Sequence, residues 1–166
     1  MENNERIELE EMYLRMAVIL ASRSTCKRMG SDGLIKRVGC VVTNKRLDNV
    51  LSVGYNGNAR GLPDECTYIG KEGGCGCLHS EANAISKCLA PDQDKVAFCT
   101  DSPCENCAKL LINSGFSRVV YLRQYRITTG LDFLKDTGIE VQHRPLQSNN
   151  ILSSVFEEYP GWEDKP

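Results

Sequence analysis

Two short segments hold residues able to bind a metal and move a proton: His79-Ser80-Glu81 and Ser102-Pro103-Cys104-Glu105-Asn106-Cys107. Read as a helix start, the second has Ser102 as its N-cap, Pro103 at the first helical position and Glu105 completing a capping box. Cys104 and Cys107 then lie one turn apart on the same side. Their sulfurs sit at the positive end of the helix dipole, which favours thiolate over thiol. Two thiolates and the imidazole of His79 make three ligands for a tetrahedral zinc with its fourth position open, the arrangement of a catalytic site. Glu81 stands two residues from the imidazole, close enough to reach a water on the metal without ligating it. A carboxylate there can take a proton and hold it for a substrate. Two readings compete. One is a structural zinc site built from Cys104, Cys107 and two of Cys66, Cys75 and Cys77, which leaves His79 and Glu81 without a role. The other is a redox-active Cys104-x-x-Cys107, around which no thioredoxin-like pattern is found.

These segments need a scaffold. Leu9, Met12, Met16, Ile19 and Leu20 follow the helical period over 5–23, with Glu8, Glu10 and Glu11 in the first turns and Arg23 in the last. A basic, irregular stretch over 24–37 carries Lys27, Arg28, Lys36 and Arg37. Residues 38–43 and 50–55 are β-rich runs that predict a hairpin. The segment 56–77, rich in glycine and holding Cys66, Cys75 and Cys77, is a long loop, and long loops in compact domains are usually functional. From Leu78 a helical period follows, with Ala82, Ile85 and Leu89 as the buried stripe and an end before Pro91. Beyond it the pattern predicts a strand over 95–100 and a helix over 103–113, with Leu110 and Leu111 on the apolar side. A strand over 117–122, a helix over 129–136 and a strand over 138–142 complete it. This alternation implies parallel pairing with helices on the faces of one sheet. Ile151, Leu152, Val155 and Phe156 suggest one more amphipathic helix. With no repeat and no linker, the chain reads as a single domain over 1–166, with a core at 7–142 and a polar extension at 143–166.

Composition narrows the classes further. The 166 residues are 41% hydrophobic and 25% charged, the balance of one globular domain rather than of a disordered chain. A net charge of −2 and a pI near 5.8 argue against a protein that coats nucleic acid, yet a local basic cluster suffices for a small anion. The longest apolar run, 16–21, is too short to cross a bilayer, so no membrane partner is expected. The acidic start lacks the basic opening of a secretory signal. Nine cysteines, an odd number, then predict a reduced, cytoplasmic protein in which some thiols bind metal. Cys88 and Cys99 read as small core residues.

His-x-Glu followed by Pro-Cys-x-x-Cys is the signature of zinc nucleobase deaminases. Over 7–141 the chain resembles the deoxycytidylate (dCMP) deaminase family of the cytidine deaminase superfamily. Ser24-Thr25-Cys26-Lys27-Arg28 followed by Val38-Gly39-Cys40-Val41-Val42 is similar to that family's first helix–strand junction, and Gly54-Tyr55-Asn56-Gly57 to its G-Y-N-G loop. His79-Ser80-Glu81-Ala82-Asn83-Ala84-Ile85 is similar to its H-A-E-x-N-A-I. Ser102-Pro103-Cys104-Glu105-Asn106-Cys107-Ala108-Lys109 matches its S-P-C-x-x-C-A-K, and Tyr125-Arg126 with Gly130-Leu131 its closing segment.

The resemblance implies a three-layer α/β/α fold around a mixed sheet of about five strands. It implies hydrolysis of dCMP to dUMP and ammonia, a step toward dTTP. His79, Cys104 and Cys107 would hold zinc, activated water would attack C4 of the cytosine, and Glu81 would protonate N3 and then the departing amino group. Asn56 corresponds to a sugar contact, Ser102 and Tyr125 lie by the substrate, and Arg28, with Arg23, Lys27, Lys36 and Arg37, is a candidate for the 5′-phosphate. Cys66, Cys75 and Cys77, with Cys26 or another residue as the fourth ligand, would hold a second, structural zinc. Family members form homo-oligomers, frequently hexamers, and respond to dCTP and dTTP as effectors. Three features depart from the pattern: a longer segment between Arg28 and Val38, Ala59 where proline is common, and Asp101 where an apolar residue is common. A buried carboxylate at 101 is costly unless paired. The alternatives are another cytosine nucleotide (dCTP or 5-substituted dCMP), a base in a polynucleotide, or a non-catalytic zinc assembly module. Glu81 speaks against the last, because a structural zinc needs no proton shuttle.

Overall fold

A computed structural model describes residues 7–30, 33–71, 74–91 and 94–146; the helix expected at 151–156 and most of the extension lie outside the described residues. The elements run α1 (Leu9–Ala21), β1 (Gly39–Thr43), β2 (Val50–Tyr55), α2 (Ser80–Lys87), β3 (Lys95–Asp101), α3 (Glu105–Asn113), β4 (Phe116–Arg123), α4 (Thr129–Asp136) and β5 (Glu140–His143). The five strands form one sheet in the order β2-β1-β3-β4-β5. The expected hairpin pairs β1 with β2 antiparallel, β1 also pairs antiparallel with β3, and β3, β4 and β5 are parallel.

Residue types explain the layers. β3 and β4 alternate between two cores. Ala97, Cys99, Val119 and Tyr121 face one with Ala84, Ala108, Leu111, Leu131 and Leu134 from α2, α3 and α4. Val96, Phe98, Val120 and Leu122 face the other with Tyr13, Leu14, Ala17 and Val18 from α1. The sheet is therefore covered on both sides, and the Lys95–Thr100 stretch of its central strand is wholly buried. The crossovers β2-α2-β3, β3-α3-β4 and β4-α4-β5 all advance across the sheet in one direction, so connections of one hand put their three helices on one face. Burial of one side chain such as Leu111 contributes about 2 kcal/mol.

Several expectations are corrected. The face of α1 that packs is Tyr13, Leu14, Ala17, Val18 and Ala21, while Leu9, Met12 and Ile19 point outward. The helix is apolar on two sides, and the side with the small alanines is the one that fits closely on β1. Leu89 lies past the end of α2 and is 92% exposed. On α3 the inward line is Cys107, Ala108 and Leu111, which leaves Leu110 on the flank at 42% exposure. The capping box does not form: Cys104 is the N-cap of α3, Ser102 lies two residues before it, and Glu105 pairs instead with Lys109 one turn on at 2.7 Å.

Candidate active site

β2 and β3 run parallel to each other on either side of β1, and the helices that follow them both start at the carboxyl edge of the sheet. That edge is where open α/β sheets place their sites. His79 is the N-cap of α2, Cys104 the N-cap of α3, and Cys107 lies in the first turn of α3. Two glycines let these starts seat closely. A Cβ at Gly54 of β2 would lie 2.1 Å from the Ser80 carbonyl oxygen, and one at Gly130 of α4 would lie 2.3 Å from that of Pro103. Asn83 adds a bond from Nδ2 to the Tyr55 carbonyl at 2.9 Å, tying α2 to the end of β2.

The three ligand atoms converge. His79 Nδ1 lies 3.4 Å from Cys104 Sγ and 3.6 Å from Cys107 Sγ. With bonds of about 2.3 Å to sulfur and about 2.0–2.1 Å to nitrogen, a tetrahedral zinc sets the N···S separation at about 3.5 Å, so these residues fit that ion. Of the two thiol protons, one is readily lost and the other is held between the sulfurs. Cys104 is brought down to about 3, first by the hydrogen bond from the Cys107 thiol, against the cost of burial and with help from His79. Cys107 is pushed up, chiefly because its thiol proton bonds the Cys104 sulfur. The hydrogen bond to Cys104 raises His79, with burial and the charge of the half-buried Arg28 opposing it.

Glu81 is 3% exposed, and Ser80 Oγ donates to its Oε2 at 2.8 Å. Burial raises the carboxyl, and the neighbouring His79 and the Ser80 hydroxyl pull the other way. Ser80 stands where the resembling family has alanine, and only the folded chain shows that its hydroxyl reaches Glu81.

The other expected site residues take distinct places. Ser102 is buried, and its Oγ accepts the Tyr125 N–H at 2.7 Å, so these two residues meet across the ends of β3 and β4. Asn56 is buried, with Oδ1 accepting the Val38 N–H at 2.7 Å and Nδ2 donating to the Lys36 carbonyl at 2.8 Å. Its amide therefore holds the basic segment in place, and the bridge between Gly57 and Leu78 brings it beside the approach to His79. Asp101 is paired: Arg123 Nε and Nη2 donate to its two carboxylate oxygens at 2.7 and 3.1 Å.

A second cluster gathers Cys26, Cys66, Cys75 and Cys77, all four sulfurs within 4.8 Å of one another. The fourth thiol, open in the sequence, is Cys26. The Cys26–Cys66, Cys26–Cys75 and Cys66–Cys77 separations are 3.7, 3.6 and 3.7 Å. A tetrahedral zinc with bonds of about 2.3 Å spaces sulfurs about 3.8 Å apart. Burial pushes Cys26 up to about 11 and also raises Cys77. Cys66 is lowered, because the Lys27 N–H at 3.1 Å and the neighbouring thiols outweigh its burial. All nine cysteines are free thiols.

Residues 7–123 match the family described as the cytidine and deoxycytidylate deaminase zinc-binding region. The chain belongs to this family. Among its relatives, the deoxycytidylate deaminase of Saccharomyces cerevisiae is 32% identical over 80% of this chain and 44% of its own length. The deoxycytidylate deaminase of Mycobacterium phage D29 is 31% identical over 72% of this chain and 98% of its own length. The dCMP deaminase of cyanophage S-TIM5, solved with dCMP and dUMP, is 32% identical over 85% of this chain and all of that one, with a TM-score of 0.69. The chain spans about half the length of the Saccharomyces cerevisiae and Schizosaccharomyces pombe deoxycytidylate deaminases, 44% and 48%. The fold is thus the three-layer α/β/α arrangement around one mixed five-stranded sheet that the resemblance implies. No helix among the described residues is long and apolar enough to cross a membrane.

Proposed function

We propose that this protein is a zinc-dependent hydrolase that converts dCMP and water to dUMP and ammonia, as one domain in the supply of dTTP precursors. The observation that carries this reading is the buried Glu81 carboxyl, set two residues from His79 beside the Cys104–Cys107 turn in a chain of the deaminase family. His79, Cys104 and Cys107 hold the ion. When bound, zinc supplies a Lewis acid that makes water nucleophilic near neutral pH. Glu81 takes one proton from the attacking water and delivers it to N3 of the cytosine, where it stays; it then carries the second proton, from the hydroxyl now on C4, to the departing amino group, so that ammonia leaves as C4 becomes a carbonyl. Burial keeps this proton on the relay rather than in bulk water. Ser102 and Tyr125 border the substrate, Asn56 contacts its sugar, and Arg28 meets the 5′-phosphate. A second zinc binds Cys26, Cys66, Cys75 and Cys77, supported by sulfur spacings of 3.6–3.7 Å. Location in the cytoplasm, assembly as a homo-oligomer such as a hexamer, and control by dCTP and dTTP complete the reading.

The test is ammonia release from deoxycytidine, dCMP, dCTP, CMP and a cytosine-bearing oligonucleotide, with and without dCTP or dTTP as effector. Turnover confined to dCMP is the expected result. No turnover of any free nucleotide by zinc-loaded protein overturns it and points to a polynucleotide. Glu81→Gln should keep zinc and fold while lowering kcat by roughly 10²–10⁴-fold.

A further inference from the structure

The parallel ladder between β3 and β4 ends at Asp101 opposite Arg123. Each strand leaves the sheet immediately afterwards, β3 into Ser102-Pro103-Cys104 and β4 into Gln124-Tyr125. Three contacts hold the two ends together beyond the ladder. The Ser102 N–H donates to the Arg123 carbonyl at 2.8 Å, and Ser102 Oγ accepts the Tyr125 N–H at 2.7 Å. The third is the two-pronged ion pair, Arg123 Nε to Asp101 Oδ1 at 2.7 Å and Nη2 to Oδ2 at 3.1 Å.

The pair lies on the reacting side of the sheet. Residues of β3 and β4 alternate, and Cys99 and Tyr121 face the core of α2, α3 and α4, so Asp101 and Arg123 continue those two lines at the carboxyl edge. Their side chains are only 17% and 27% exposed. Ions so placed cost desolvation that neighbouring apolar groups would avoid, so stability is a weak reason for having them. What the two prongs add is geometry, since parallel N–H···O bonds fix both separation and rotation of the groups they join. The Pro103-Cys104 turn also rests against Gly130 of α4, so the fork and the α4 contact both bear on its place.

We propose that Asp101 and Arg123 form a positioning pair for the reaction: the fork locks the turn that carries Cys104 to the turn that carries Tyr125. Their role is to keep a metal ligand and the substrate-side residue at a fixed separation, and displacement on the order of 1 Å in such a constellation can cost 10²-fold in rate. The proposal rests on the deaminase reading, but it also bears on metal retention, because Cys104 would ride on the locked turn.

The test uses the zinc-loaded full chain and the variants Asp101→Asn, Arg123→Gln, Arg123→Lys and the double Asp101→Asn/Arg123→Gln. Steady-state deamination of dCMP, the rate of zinc loss to a colorimetric chelator and the thermal midpoint are measured on each. Asp101→Asn and Arg123→Gln should each lower kcat about ten- to a hundredfold and speed zinc loss several-fold, with the midpoint near the parent's. The double variant should be no worse than the worse single one, as expected for two residues acting as one unit. Arg123→Lys keeps the charge without the fork and should be intermediate. Losses that multiply in the double variant overturn the proposal, as do parent-like kcat and zinc loss in Arg123→Lys. Rates that fall only in step with the midpoint overturn it too. If the parent protein itself fails to deaminate dCMP, the deaminase reading has failed instead, and the zinc-loss rates alone decide whether the pair positions Cys104.

Discussion

At the residue scale, Ser80 shows how a small change at a site acquires a role. Its side chain is fully buried at the start of α2, and its hydroxyl donates to Glu81 Oε2 at 2.8 Å. Hydrogen bonds to charged groups contribute about 1.5–3 kcal/mol. Ser80→Ala should therefore lower kcat about tenfold or more with zinc content unchanged, read by steady-state kinetics beside metal analysis; an unaltered kcat would mean the hydroxyl merely fills space. Residue identities made His79, Glu81, Cys104 and Cys107 legible, because few side chains ligate zinc or relay protons and these stand at turn spacing. They could not disclose the partner of Asp101. Arg123 is twenty-two residues away, and only the β3–β4 register sets the two side by side.

At the element scale, the site depends on where two helices begin. Gly130 lets α4 rest against the backbone of Pro103 and Cys104, and a Cβ there would meet their carbonyl oxygens at 2.3 and 2.9 Å. Backbone cannot rotate away as a side chain can. Gly130→Ala should destabilise the fold by about 1–3 kcal/mol and weaken zinc retention, measured by thermal melting and chelator competition. Melting at the parent temperature with parent zinc affinity would show that α4 has slack. Boundaries of the strands and of α4 were readable from periodicity and turns, whereas the packed faces of α1 and α3 were not. Helical spacing marks several apolar stripes, and the stripe that packs is chosen by the neighbour: β1 accepts Ala17 and Ala21 of α1, and α3 turns on its Cys107–Leu111 line.

At the scale of the whole molecule, long-range ties hold the layers around the site. The four-cysteine cluster joins the turn after α1 to the long loop that leads into His79. Cys75→Ser should reduce bound zinc from about two ions per chain to about one and lower the thermal midpoint by several degrees, because metal bound only by the folded chain adds its binding free energy to stability. One zinc in the parent would refute the second site. On the opposite face Glu10 of α1 pairs with Arg118 of β4 and with Arg144 beyond β5, at 2.5 and 2.7 Å. Its side chain is 18% exposed, so Glu10→Gln should cost about 1 kcal/mol, a fall of about 2–4 °C in the midpoint, with kcat at its parent value. Calorimetry and dCMP kinetics together check this, and a loss of kcat would mean that α1 reaches the site.

Read alone, the sequence shows which chemistry is available: an imidazole and two thiols able to hold zinc, a carboxylate beside them, a cysteine-rich loop, and alternating strands and helices that admit one sheet with helices on its faces. These follow from side-chain type and short-range spacing, which the chain carries locally. The tertiary structure decided which of these groups meet. It chose Cys26 as the fourth thiol, turned the amide of Asn56 onto the 36–38 backbone, paired Asp101 with Arg123 and gave the Ser102 hydroxyl to Tyr125 instead of to its own helix. Such choices depend on which backbones the sheet brings within hydrogen-bond reach, and that distance is set by packing across the molecule.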